Sequence, residues 1–318
     1  MGRQSVGFLD AKQRSGFAGL VANGIKSNDD LWRRFAIAAP YLWLLVFFLA
    51  PFAIILKISL ADPVLAMPPY SPSFDSDGSP SMSLSNYGFL LSDKLYAITY
   101  LRSVVMALIT TVLCLLLGFP MAYGIARSSP TTRSLLLLLV VLPFWISFLL
   151  RVYAWMGLMN NHGVINNLLI WIGLIEQPLR IMYTDFATAV GLVYSYLPFM
   201  ILPLYAALER MDMDLIDAAQ DLGASRTRAF WDITWPLAKP GTFAGCLLVF
   251  IPAMGEYVIP YLLGGPDSLF IGRVLFDEFF NNRDWPLASA VAIILLLLLV
   301  VPIVLLQRAQ ARDEEQVV

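Results

Sequence analysis

The stretch Asp212-Met213-Asp214-Leu215-Ile216-Asp217-Ala218-Ala219-Gln220-Asp221-Leu222-Gly223-Ala224-Ser225-Arg226, with its continuation to Pro236, is the polar segment whose reading decides the fold. Leu215, Ala218, Ala219 and Leu222 share one helical face, while Asp214, Asp217 and Asp221 line another. Asp212 or Asp214 is placed to cap the N-terminus, where a carboxylate also favours the helix dipole. Gly223 ends the helix as a C′ residue. Ser225 then caps a second short helix over 226–234, which Pro236 stops. On periodicity alone two readings stay open. The segment is a connector shielding the end of a helical bundle, or it is a surface that receives a partner.

Its surroundings set the class. Of 318 residues, 58% are hydrophobic and 14% charged, where a soluble domain runs nearer a quarter charged. The formal net charge of −2 lacks the basic excess that nucleic-acid binding needs. Cys114 and Cys246 lie in apolar runs and read as small core hydrophobes, and the single histidine, His162, sits in a loop, so no metal site is expected. A membrane-crossing helix takes about 20 mainly apolar residues. Six segments qualify: 35–60, 99–126, 134–158, 186–208, 241–263 and 286–306. A further apolar stretch at about 164–175 is too short to cross and suits an interfacial helix. Residues 61–98 read as a solvated outer loop rich in Pro, Ser and Asp, and Gly264-Gly265-Pro266-Asp267 as a turn. The polar leader before Phe35 places the first apolar run too far along for a cleavable signal, so the first span is expected to be retained.

Charge orients the spans. Of the 21 lysines and arginines, five (Lys94, Arg102, Arg180, Arg273, Arg283) fall on one side and two (Lys57, Arg151) within spans. The other 14 fall on the side of both termini and of 209–239. The richer side is expected to be cytoplasmic. The chain then divides into a cytoplasmic tail (1–34), a six-span domain (35–306) and a second cytoplasmic tail (307–318), in a multi-pass membrane protein.

Spacing brings in a family. Asp217-Ala218-Ala219, Gly223, Ile233 and Pro236 stand at the intervals of the EAA signature that permeases of ABC importers carry in a cytoplasmic loop, and the segment resembles it. Asp217 replaces the usual Glu and Trp235 the usual Leu, which keeps the charge at one position and an apolar side chain at the other. The strings Leu150-Arg151-Val152-Tyr153-Ala154-Trp155, Ile251-Pro252-Ala253-Met254-Gly255-Glu256-Tyr257 and Asn281-Asn282-Arg283-Asp284-Trp285-Pro286 look like those of bacterial polyamine-importer permeases, the putrescine type most closely. The resemblance implies an all-α membrane protein of the type I ABC-importer permease fold, six transmembrane helices with a cytoplasmic coupling helix. It implies as partners a second homologous permease, an ATP-binding subunit dimer and a periplasmic polyamine-binding protein in a lipid bilayer. ATP and Mg would be used by the partner ATPase. This chain carries no Gly-x-x-x-x-Gly-Lys-Ser/Thr, so no catalytic residue and no bound cofactor are expected of it.

A polycation needs carboxylates and aromatic faces along its path. Glu256 is the carboxylate placed inside a span, bracketed by Pro252 and Pro260, and an ionisable group at membrane depth is a functional candidate. Its alternative role is a structural ion pair with Arg151. Tyr257, Trp155, Tyr153, Tyr196 and Tyr194 are candidate ammonium cradles, Trp155 and Tyr257 foremost, and Asp185 belongs to a mildly acidic outer rim. Other readings are the same architecture carrying another small solute, or a secondary transporter. The latter calls for more intramembrane carboxylates and an internal duplication, which the sequence lacks.

Overall fold

The computed structural model describes residues 34–71, 82–266 and 268–315, the side chains of 302 and 305–315 excepted. The expected 1–34 tail therefore falls outside the described residues but for Arg34, as do Asp267 and the end of the 307–318 tail. Among the described residues the chain is helical, with one isolated antiparallel bridge between Pro63 and Tyr70.

Helix α1 (Arg34–Ser59) belongs to a compact unit that ends at Ile58, and its side chains are nearly all exposed, Phe35, Trp43 and Phe48 among them. Such an apolar surface is suited to lipid rather than to water. The second unit starts at Ser59 and contains α2 (Ser85–Ser92), α3 (Lys94–Ala126), α4 (Pro130–Trp145), α5 (Phe148–Met159), α6 (Val164–Trp171), α7 (Asp185–Glu209), α8 (Asp214–Asp221), α9 (Arg226–Met254), α10 (Val258–Leu263), α11 (Ile271–Phe276) and α12 (Trp285–Glu315). Helices α1, α3, α7 and α9 are each long and apolar enough to cross a bilayer.

The six expected spans all fall on helices, but three differ in shape, and the third and fifth are broken at 146–147 and 255–257. The third is bent: Pro130–Trp145 and the run Phe148–Trp171 meet at 92°, because Ile146 adopts an extended backbone after Pro143. The expected interfacial helix at 164–175 is the end of that bent arm. The fifth begins well before 241, since Pro236 does not stop the helix. A π-turn over Phe230–Thr234 precedes it, with the Trp235 N–H donating to the Phe230 carbonyl, so Pro236 falls in the first turn of the α-helix that runs on to Met254, where its missing N–H costs nothing. The sixth is apolar only over Trp285–Val301. The 61–98 loop is also shorter than expected. Its 85–92 part is helical, and Asn86 donates to the carbonyls of Ser59 and Ala61 at 3.1 and 2.8 Å, which replaces the apolar periodicity the sequence lacks.

Helices α3, α7 and α9 form the core, and glycine permits their approach. A Cβ on Gly241 would lie 2.5 Å from Ala207 Cβ and 2.7 Å from the Pro203 carbonyl, and one on Gly245 would lie 2.8 Å from Met200 Sδ. Gly241 and Gly245 are one turn apart, so α9 presents a bare stripe to α7, the small-xxx-small arrangement of helices packing where lipid removes the hydrophobic incentive. Met200, fully buried, also meets α3, where a Cβ on Gly118 would lie 3.0 Å from its Cγ. Arg102–Asp185 and Arg133–Glu209, each at 2.8 Å, tie α3 and its neighbours to the two ends of α7. Gly245→Leu is expected to abolish a monodisperse peak in detergent gel filtration. Met200→Ala is expected to keep the peak but lower thermal stability by about 2–5 kcal/mol, the range for emptying a buried site of this size.

Candidate functional site

Two regions carry the expected residues. The first is α8 with the turn after it. Asp212 Oδ1 accepts from the Asp214 N–H at 3.0 Å, which settles the choice of cap in favour of Asp212. The helix closes in a Schellman turn: the Gly223 N–H donates to the Gln220 carbonyl (2.8 Å) and the Ala224 N–H to that of Ala219 (2.9 Å), with Gly223 at φ +88°. Ser225 Oγ accepts from the Arg228 N–H and opens α9. No residue of α8 is buried: Asp217 and Ala218 are exposed, Ala219 is half-buried, and Leu222 is 90% exposed. The helix is thus shaped by its own caps and leaves its apolar face uncovered. Ile233 is half-buried in the π-turn, and Pro236 is exposed in the helix that follows. Trp235 packs on Phe119 (5.8 Å between centroids) and Trp231 (5.9 Å), so its bulk seats α9 against α3.

The second region is the break between α9 and α10. α9 ends at Met254 and α10 restarts at Val258, which leaves backbone donors at the new N-terminus without helical acceptors. Glu256 Oε1 accepts from the N–H groups of Val258 (3.0 Å) and Ile259 (3.5 Å), while its Oε2 takes the hydroxyl hydrogen of Tyr196, a buried residue of α7. The break is gripped from outside by α11, where a Cβ on Gly272 would collide with the carbonyls of Gly255 and Glu256. An acidic group at a helix start is also favoured by the dipole. The carboxylate is therefore held by a cap, a hydroxyl and a tight backbone contact.

Arg151 is not its partner. Among the described residues no ion pair joins them. Arg151 is 8% exposed, its guanidinium lies 5.3 Å from the Phe144 ring and 5.6 Å from that of Phe148, and its Nε and Nη1 have no hydrogen-bond partner. Phe144 meets Phe199 edge-on at 5.3 Å, and Phe199 lies 6.2 Å from Tyr196. A file of aromatic rings thus stands between Arg151 and Glu256. Phe144 and Phe199 were not expected here, and their signal is modest: each follows a proline in an apolar run.

The other candidates spread out. Tyr257 stacks on Phe276 at 4.1 Å and 13°, close to Glu256 in sequence. Trp155 meets Tyr194 edge-on at 5.3 Å, and Tyr153 is 53% exposed. Asp185 does not join them. It sits at the start of α7, paired with Arg102 and accepting from Ser268 Oγ at 2.8 Å, because a first-turn carboxylate beside an arginine is a stable helix-end device. Of the 281–286 string, residues 282–285 line a separate cavity of about 830 Å3 with 63–67, 69, 279 and 280.

A long-helix core of glycine contacts, a helix broken around a carboxylate and a bare capped helix at one end make this a membrane transport component. The chain belongs to the family of binding-protein-dependent transport system inner membrane components, whose model matches residues 114–315. It is 46% identical over 211 residues to the spermidine/putrescine transport system permease protein PotB of Escherichia coli K12, a match covering 66% of this chain and 76% of that protein. The protein of the same name from Haemophilus influenzae is 39% identical over 273 residues, covering 85% and 91%. A crystal structure from a bacterial ABC transporter that imports the acidic polysaccharide alginate superposes at a TM-score of 0.64 with 20% identity, over 91% of this chain and 99% of that one, so the fold is that of an ABC-importer permease.

The Tyr196–Glu256 bond can be weighed by a double-mutant cycle. Tyr196→Phe and Glu256→Gln are expected to show a coupling of about 1.5–3 kcal/mol in thermal denaturation, the range for a hydrogen bond to a charged group.

Proposed function

We infer that the chain is a permease subunit of an ATP-driven importer of polyamines, and that Glu256 contacts an ammonium group of the cargo. The observation that carries the cargo reading is a carboxylate held at membrane depth by Tyr196 and a helix break, beside rings of Tyr196, Phe199 and Phe144 that offer π faces to a cation. The relatives named above support it, since their names give both spermidine and putrescine. The proposal accordingly takes in both polyamines, with the putrescine preference drawn from the sequence strings as its narrower form.

In this reading a second permease completes the path, and a periplasmic binding protein delivers the cargo. The ATPase dimer, which uses ATP and Mg, docks on α8 through Asp217, Ala218, Ala219 and the turn at Gly223. The lysine- and arginine-rich loop over 209–239, with α8 in it, faces the cytoplasm, as the charge count along the sequence also assigns to both termini. Trp155, Tyr153 and Tyr257 are retained as outlying members of the path, and Asp185 as part of its rim. Binding energy shared between carboxylate and rings suits a flexible polycation, which sheds its water piecemeal and makes no single strong contact.

Glu256→Gln is expected to lower uptake of labelled spermidine and putrescine at least tenfold in the assembled importer, while Glu256→Asp retains part of it. The glutamine Oε1 can still accept from the α10 start, so a variant that assembles and transports normally would leave Glu256 a cap and nothing more. Gly223→Val forces a β-branched residue to φ +88°, at about 1–2 kcal/mol, at a site where an added Cβ meets nothing within 4 Å. It is expected to let the ATPase bind and hydrolyse ATP while uptake falls, as read by ATPase activity and uptake in the same proteoliposomes.

A further inference from the structure

We propose that the α8-bearing end of the chain holds an anionic phospholipid in the groove where α3 meets the start of α9. The groove is a cavity of about 580 Å3 walled by Phe119, Pro120, Tyr123, Gly124, Arg226, Thr227 and Phe230. Its chemistry is two-ended. Phe119, Phe230 and Pro120 make an apolar wall, whereas Arg226 and Thr227 supply a cation and a hydroxyl at the rim. No carboxylate lines it. Arg228 beside it is paired with Asp232 at 3.3 Å and Arg133 with Glu209, so these two charges are already answered. Arg226 is exposed and forms none of the ion pairs found among the described residues.

A second cation stands behind the wall. The Arg127 guanidinium lies 4.8 Å over the Tyr123 ring, with Nη1 and Nη2 buried and without a hydrogen-bond partner. An uncompensated cation there costs free energy that a nearby anion relieves. It acts through the field, since Tyr123 separates it from the groove. Among the described residues, then, the groove has two positive charges in excess and no carboxylate paired with either.

The shape selects a lipid over a free anion. Gly124 leaves the floor bare, and a Cβ there would meet nothing within 4 Å. From Gly124 the exposed face of α3 continues through Pro120, the adjacent Leu117 and Leu116, and Leu113, all exposed and each three or four residues from the next turn's member. An acyl chain laid on that face would place its phosphate at Arg226. Basic pockets between membrane helices on the cytoplasmic side are suited to such headgroups. The site adjoins Ser225 and the turn that closes α8, so an occupied groove would brace the coupling segment against the core. The orientation is that of the proposed function. The binding itself rests only on this chain's groove and is measured without cargo or ATP.

The test uses the full-length chain, with any subunits that copurify, in nanodiscs of phosphatidylcholine doped with phosphatidylglycerol, and native mass spectrometry to count retained lipid. Wild type is expected to retain phosphatidylglycerol over phosphatidylcholine, Arg226→Gln to weaken that preference about fivefold, and Gly124→Leu, whose side chain fills the floor, to abolish it. Normal gel filtration of both variants keeps the result interpretable. Equal retention of the two lipids, unchanged preference in both variants, or displacement by millimolar inorganic phosphate would each overturn the proposal. So would a Gly124→Cys variant that crosslinks to a copurifying permease, because a protein would then cover the groove. If lipid binds as expected but polyamine uptake is absent, the site stands and the cargo reading falls.

Discussion

Everything in the second unit depends on how closely α7 can lie against α9. Inside a bilayer, apolar side chains gain little by leaving lipid for one another, so helices associate through close backbone contact. Gly241 and Gly245 allow that contact by removing two side chains from α9, and Met200 enters the space from α7 while also meeting Gly118 of α3. A flexible thioether suits a slot defined by three helices. Once these three are locked, the register of α9 fixes where its C-terminal end falls, and hence where Gly255 and Glu256 are presented.

The break at 255–257 illustrates how a membrane protein keeps a polar site at depth. Interrupting a helix there exposes backbone donors in a medium that supplies no water. Glu256 answers them with one oxygen and meets Tyr196 with the other, so the residue that gives the site its charge also closes the wound in the helix. Stability and chemistry are joined in one side chain. Arg151 is the opposite case, a buried cation met only by the faces of Phe144 and Phe148.

Much of this was legible in the residues. Apolar run length found helix under each expected span, four of them long and apolar enough to cross singly, and the caps at Asp212, Gly223 and Ser225 followed from side-chain chemistry that acts over three or four residues. What escaped had nonlocal causes. Pro236 reads as a stop, yet the π-turn before it lets the helix pass. Asn86 makes a helix viable at 85–92 by reaching the Ser59 and Ala61 carbonyls some 25 residues away. Asp185 reads as an acid of the outer rim, and only the meeting of α3 and α7 reveals that Arg102 is paired with it there. Glu256 was recognisable as a carboxylate out of place. Its true partner, Tyr196, lies 60 residues away on another helix, where no local pattern points.

The uninterrupted course of α9 has one further consequence. The helix starts at Arg226, against the turn that closes α8, and ends at Met254, next to the Gly255–Glu256 break, a run of 29 residues. At about 1.5 Å of rise per residue this is a rod of roughly 44 Å. Had Pro236 ended a helix, the two ends would be linked by a hinge, and a push at one would be lost in bending. As one continuous helix, α9 gives a shift imposed beside α8 an unbroken covalent and hydrogen-bonded route to the carboxylate, with the π-turn and Pro236, Pro240 and Pro252 as the places where it can bend.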